Sequence, residues 1–196
     1  MDETPGPDPL VILARWHAEA RDAGAREPDA MILATATSDG QPSARVVLYK
    51  GQEGGRVHFV SHYRSKKGRE IDDNPRVALV FFWAEIMRQI RIEGVAAKAS
   101  ERKSDAYFRS RSRESQLGAW ASPQSEVLDS RATLEAGFRE AEARFAGGEV
   151  PRPPHWGVYE VAPATFELWL SRPHRLHDRF LYGLTDAGWS AVRLSP

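Results

Sequence analysis

The chain has 196 residues, of which 41% are hydrophobic, enough for one domain with a full core. Lysine plus arginine and aspartate plus glutamate each number 27, so the basic excess that nucleic-acid and anionic-membrane binders use is missing. Cysteine is absent, which excludes disulfides, cysteine-ligated zinc and thiol nucleophiles.

The start, Met1-Asp2-Glu3-Thr4-Pro5, is acidic and lacks the basic and apolar regions of a signal peptide. No apolar run approaches the roughly 20 residues of a membrane span. A cytoplasmic protein with no nucleic-acid and no membrane partner is expected. Residues 1–8 read as a loose arm and 9–196 as a single domain. A helix is expected from Pro9 to Ala25, with Leu10, Leu13, Ala14, Trp16 and His17 on its apolar face and Gly24 at its end.

Strand patterns follow over 31–37, 44–50 and 56–61, separated by turn signals at Ser38-Asp39-Gly40-Gln41 and from Gly51 to Gly55. Three strands joined by tight turns form an antiparallel meander, which closes naturally as a barrel or a sandwich. Ser65 is placed to cap a short helix that ends at Asn74-Pro75. The run from Val77 to Trp83 is continuously apolar and is expected to be a strand buried on both faces; 88–95 alternates as the next strand. Helices are expected over 104–111, 115–120 and 130–145, then a rigid Pro151-Arg152-Pro153-Pro154 linker. Strands at 156–161 and 166–169 precede a last hairpin, 179–182 with 189–194, turning at Thr185-Asp186-Ala187-Gly188. The class is mainly β with helices, α+β.

Chemistry is concentrated in a few places. His174-Arg175-Leu176-His177-Asp178-Arg179 packs two histidines, two arginines and a carboxylate together; it suits an anionic or electron-accepting ligand, or a solvated turn. Ser65-Lys66-Lys67 at a helix start suits a phosphate, or is a solvated basic cap. Tyr107, Arg111 and Ser115 recur every four residues and share a face if their helix is continuous. Arg45 and Lys50, five apart, point to opposite faces of an ideal strand and share a ligand only if the strand bends or Lys50 sits past its end. Gln89 and Gln124-Ser125 offer polar groups that are uninformative alone. The histidine pair closest in sequence, His174 and His177, sits among arginines that repel a cation, so no metal is expected. Neither a glycine-rich dinucleotide fingerprint nor a Walker loop occurs.

Several ordered runs stand out: Arg45-Val46-Val47-Leu48-Tyr49-Lys50, Asn74-Pro75-Arg76-Val77, Arg88-Gln89, 115–125, Pro153-Pro154-His155-Trp156-Gly157, Arg175-Leu176-His177-Asp178-Arg179 and the ending Arg193-Leu194-Ser195-Pro196. Together they resemble the pyridoxine/pyridoxamine 5′-phosphate oxidase family, from Pro9 to Pro196. The resemblance implies an antiparallel split β-barrel homodimer with FMN at the subunit interface. It implies FMN contacts from Arg45, Lys50, Val60, Ser61, Lys66, Lys67, Gln89, Gln124, Ser125, Trp169 and Arg179. Lys50, Tyr107, Arg111 and Ser115 correspond to the clasp on the substrate phosphate, and Arg175 and His177 to the catalytic pair over the substrate ring. The implied reaction takes a hydride equivalent from C4′ of a pyridine 5′-phosphate to the flavin, with O2 as electron acceptor.

Departures from the family pattern cluster at the site. Val60-Ser61-His62 replaces the usual Tyr-Thr-Asn, Lys66 replaces arginine, and Trp169-Leu170-Ser171 replaces Trp-Gln-Gly. The family's N-terminal Arg-x-x-Tyr arm is expected to be absent, with only eight residues before Pro9. These changes admit a second reading, similar to the FMN oxidases that aromatise dihydrophenazines, and a third, a flavin- or pyridoxal-phosphate-binding protein without turnover.

Overall fold

A computed structural model describes residues 6–196; the expected arm over 1–8 lies mostly outside them. Helix α1, Pro9–Asp22, starts where the Asp8 carboxylate accepts from the Leu10 N–H (2.8 Å) and Pro9 presets the first turn. It ends three residues before the expected Ala25. Strands β1 (Ala30–Ala36), β2 (Pro42–Glu53) and β3 (Arg56–His62) form the meander. The expected broad turn at 51–55 is narrower. Glu53 pairs with Arg56 across Gly54-Gly55, both at positive φ, while Gly51 sits in a register shift inside β2.

Helix α2 (Lys66–Asp73) precedes β4 (Arg76–Trp83) and β5 (Arg88–Lys98). Helices α3 (Glu101–Arg109), α4 (Arg113–Ala121) and α5 (Arg131–Arg144) follow, then β6 (Trp156–Leu170), β7 (Asp178–Thr185) and β8 (Gly188–Leu194). The strands run in the order β3-β2-β1-β4-β5-β6-β7-β8, and β3 also pairs with β6, closing a six-stranded antiparallel barrel that the β7–β8 hairpin extends.

Strand β6 makes that closure possible. The two short strands expected there are one long strand. Its first part, from Trp156 to Val161, pairs with β3, and Thr165 to Leu170 pairs with β7. Pro163 lies between them, opposite a register shift at Glu93/Gly94, where a proline without an N–H is tolerated.

Leu33, Phe59, Leu79, Phe81, Ile90, Ile92, Tyr159 and Phe166 fill the barrel, and Leu13 and Trp16 of α1 join the same core. A second cluster holds α3, α4 and α5 against the start of β6 through Phe108, Leu117, Ala141 and Trp156. Strand β4 is not buried on both faces. It alternates, with Leu79, Phe81 and Trp83 inside and Phe82 55% exposed. Among the described residues no helix is long and apolar enough to cross a membrane.

Candidate active site

Between the two clusters lies a cavity of about 420 Å³, walled by β2, β3, α2 and α4. Lys50, Val60, Ser61, Lys67, Arg111, Ser115 and Gln124 all reach it, with Trp156 and His62. The fold therefore brings together seven residues spread over 75 positions of sequence.

Local structure aims each of them. Ser65 caps α2, its Oγ accepting from the Gly68 N–H and donating to the His62 carbonyl (2.7 Å). The cap sets the first turn, so the Lys67 ammonium donates to Ser61 Oγ (3.2 Å), Ser65 Oγ (3.3 Å) and Gln124 Oε1 (2.9 Å). Burial, and then the nearby Arg45 charge, push the Lys67 pKa down, a penalty that a bound anion would relieve.

Arg111 is the more exacting group. Its guanidinium lies over the Trp156 ring at 4.5 Å and near Phe108 at 5.7 Å. One of its terminal nitrogens, NH1, is buried without any hydrogen-bond partner. Burial lowers its pKa, yet arginine stays charged in proteins. An unpaired buried donor on a charged group costs about 1–3 kcal/mol or more, and a phosphate oxygen would supply the missing acceptor.

A shared face for Tyr107, Arg111 and Ser115 required one continuous helix; the structure has two, as the separate helices expected over 104–111 and 115–120 already implied. Helix α3 stops at Arg109, and Ser112 caps a new helix by accepting from the Ser115 N–H. Arg111 and Ser115 meet at the cavity because the chain breaks between them. Tyr107 stays outside the cavity wall, stacked on Trp156 at 6.2 Å.

Arg45 and Lys50 diverge, as strand geometry requires. Lys50 joins Val46 and Leu48 on the cavity side. Arg45 turns the other way and donates to the Leu33 carbonyl, Thr35, Ser43 and Glu70. Glu70 is only 4% exposed. Burial raises its pKa, but hydrogen bonds from Thr35 and Ser43 and the Arg45 charge outweigh that and hold the carboxyl below its ordinary range. Lys66 is exposed at the surface, 3.7 Å from Glu70, and is not part of the wall. Ser125 follows Gln124 in a left-handed conformation (φ 73°).

A second constellation sits elsewhere. Gln89 pairs with Trp169 and Trp169 with Arg179, forming one cross-strand row on the outer face of β5, β6 and β7. Glu167, buried, accepts from Arg179 Nε at 2.9 Å. His177 packs on Trp169 with ring centroids 4.6 Å apart, and its Nδ1 accepts from the Arg172 N–H at 3.2 Å. A neutral His177 therefore carries its proton on Nε2. Arg175 is exposed on the preceding turn. The residue at the cavity, Trp156, and this row stand at opposite ends of β6, on the order of 40 Å apart along the strand. The cavity residues and this row are thus separate within one chain.

The sequence reading did not include Glu70, Glu167, His62 or His155 among the site residues. His62 lines the cavity and packs on His155 with ring centroids 4.2 Å apart and planes tilted by 31°. Their sequence signals were His62 in place of the family's asparagine and His155 within the Pro153-Pro154-His155-Trp156-Gly157 run. Burial first, then His155, Arg64 and Lys67, lower the His62 pKa to about 4, against roughly 6.5 in an unfolded chain. The unfolded state then binds the proton more readily, so stability falls as pH drops from about 6.5 toward 4. Glu70 adds to this at the acid end, its contribution being lost as pH falls from about 4.5. Denaturation midpoints measured in steps from pH 7 to 5 are expected to decline, and less steeply in His62→Asn. Equal slopes in the two proteins would remove His62 as the cause.

A closed six-stranded antiparallel barrel, extended by a hairpin and carrying a cavity lined by cationic and polar side chains, defines a split-barrel protein. The family model for pyridoxamine 5′-phosphate oxidase matches residues 17–145, and the pyridoxine 5′-phosphate oxidase C-terminal dimerisation region matches 156–196. The chain belongs to the pyridoxamine 5′-phosphate oxidase family. Pyridoxine/pyridoxamine 5′-phosphate oxidase of Rubrobacter xylanophilus is 55% identical over 97% of this chain and 88% of its own length. The protein of that name from Sphingopyxis alaskensis is 51% identical over 96% and 88%. The structure of PhzG from Burkholderia lata 383, in complex with tetrahydrophenazine-1-carboxylic acid, is also similar. It aligns with a TM-score of 0.93 at 36% identity, over 99% of this chain and 95% of that one.

Proposed function

We propose that the protein is an FMN-dependent oxidase that converts the C4′ amine or alcohol of a pyridine 5′-phosphate into pyridoxal 5′-phosphate, reducing O2 to hydrogen peroxide. The observation that carries this reading is the orphaned, buried Arg111 nitrogen beside Lys50 and Ser115. Such a group needs an anion, and a substrate phosphate is the matching one. FMN, when bound, supplies the two-electron acceptor. Lys67, Ser61 and Gln124 would hold it from the cavity side, and Gln89, Trp169 and Arg179 from the other half-site. Arg175 and the Nε2–H of His177 would orient the substrate ring and favour the charge state that releases the hydride equivalent.

A homodimer supports this arrangement, since one chain keeps the half-sites apart. Ile32 pairs with Val46 and with Val80, so Val46, Ile32 and Phe82 share an outer barrel face with Gln89. Val46 is 64% exposed and Leu48 is exposed beside it, on strands that otherwise pack a core. An exposed apolar face that runs from the cavity toward the second half-site suits a twofold partner.

The likeness to PhzG, together with His62 at the wall, favours a second reading: an oxidase of reduced tricyclic aromatics in secondary metabolism. Anaerobic mixing of the FMN-loaded protein with pyridoxine 5′-phosphate separates the two. Bleaching of the flavin absorbance, pyridoxal 5′-phosphate formation and recovery in air are expected. A flavin left oxidised by that substrate but reduced by a dihydrophenazine carboxylate would replace the first reading with the second. A flavin reduced by neither would leave a binding protein.

A further inference from the structure

The turn that carries Arg175 and His177 is held in an unfavourable shape. His174 and Arg175 have φ of 59° and 64°, two adjacent non-glycine residues in the left-handed region. A residue with a Cβ adopts that region only at a conformational cost. No residue of this short turn is buried, and Leu176 after it is 68% exposed, so packing does not hold it.

Polar bonds at its base do. Arg172 Nε donates to Asp178 Oδ2 at 2.6 Å, closing the loop between its two ends. The Arg172 N–H donates to His177 Nδ1. The Ser171 N–H donates to the Met87 carbonyl at 3.1 Å, tying the loop to the turn before β5. Arg193 of β8 donates to the other Asp178 oxygen and lies over Phe180 at 4.5 Å. The hydrogen bond from Arg172 holds the Asp178 carboxyl below its usual range, so the clasp is ionised throughout the neutral range.

We propose that Asp178 is a positioning residue for the oxidase reaction, acting through Arg172 to hold Arg175 in place and to keep His177 Nδ1 bonded so that Nε2–H faces outward as a donor. Its catalytic meaning rests on the function proposed above; the geometry of the clasp does not. Without the carboxylate, the bond that closes the loop between Arg172 and Asp178 is lost and the strained pair can relax. His177 then rotates against Trp169, and the donor is lost in part of the population. Displacement of a reacting group by about 1 Å costs on the order of 100-fold in rate.

The test uses FMN-loaded, full-length protein labelled with 15N-histidine. A nitrogen that accepts a hydrogen bond resonates upfield of a free imine nitrogen, so the Nδ1 shift of His177 reports the clasp without any turnover. In Asp178→Ala this shift is expected to move toward the free value. The flavin-reduction rate constant at saturating pyridoxine 5′-phosphate is expected to fall by about 10- to 100-fold, while KM and FMN content change by less than about threefold. Asp178→Asn, which keeps an acceptor oxygen, is expected to recover part of both. Should Asp178→Ala not fold, Arg172→Gln breaks the same bond at a partly exposed position and decides the question. An unmoved Nδ1 shift or a wild-type rate constant would overturn the proposal. A wild-type protein that pyridoxine 5′-phosphate cannot reduce would overturn the oxidase reading alone, leaving the shift to decide the clasp.

Discussion

Replacing Arg111 with leucine is expected to raise the KM for pyridoxine 5′-phosphate by about 10- to 100-fold, with FMN still bound and with thermal stability in the ligand-free protein unchanged or higher. The two halves of this expectation have one cause. Charge-assisted bonds to a phosphate are worth about 1.5–3 kcal/mol each, which sets the loss in binding. In the empty cavity the same guanidinium is a liability. Its NH1 nitrogen has no partner, and the Trp156 face beneath it and Phe108 beside it are apolar. Leucine keeps contact with those rings and removes the unpaired donor, a change that is often neutral or stabilising for buried charges. FMN retention should survive because Lys67, Ser61 and Gln124 are bonded to one another and not to Arg111. Steady-state kinetics, flavin content and melting curves check the three parts separately. An unchanged KM would mean that the physiological substrate makes no anionic contact here, which would turn the assignment toward a substrate without a phosphate. A large fall in stability would mean that the packing of Trp156 and Phe108 depends on the Arg111 charge.

Much of this site was legible because its residues sit in runs whose local structure is strongly specified. Ser65 could be read as a cap, and it is one; that cap points Lys67 at Ser61. The final hairpin was legible from its turn residues, and Thr185 does pair with Gly188. The resemblance named the residues of both half-sites, but their distribution was not readable. Pairing of β3 with β6 joins residues about a hundred positions apart, and no local period encodes it. The spacing of four between Tyr107, Arg111 and Ser115 gives one helical face only in a continuous helix, and the break expected after 111 is made by Ser112, which caps the next helix. The run through Phe81-Phe82-Trp83 read as buried on both sides because apolar composition does not distinguish a core from a surface awaiting a partner. Glu70 and Glu167 escaped notice for a different reason. A lone glutamate in a helix or strand is ordinary, and only the tertiary fold sets each one under an arginine.

Gly68→Ala is expected to destabilise the protein by about 3 kcal/mol and to reduce FMN retention, although the same change in an ordinary helix stabilises. Alanine normally gains about 1 kcal/mol over glycine within a helix. At Gly68 a Cβ would lie 1.9 Å from the Tyr63 carbonyl oxygen and 2.5 Å from its carbon, both backbone atoms that cannot swing aside. Overpacking of this kind costs roughly 1–3 kcal/mol and occasionally more, which outweighs the propensity gain. For a chain of this size, that corresponds to a fall in Tm of roughly 6–12 °C. Relief requires the start of α2 to lift from the turn at 63–65, and the Ser65 cap and the Lys67 ammonium move with it. Loss of flavin should therefore accompany loss of stability, which a remote core mutation of equal cost would not produce. Gly118 in α4 provides the opposite sign. Nothing lies within 4 Å of its would-be Cβ, so Gly118→Ala should raise the ligand-free Tm. Two glycines in two helices, changed identically, are thus expected to move stability in opposite directions. A stabilised Gly68→Ala would mean that α2 does not approach the β3 turn as closely as the geometry of Lys67 requires.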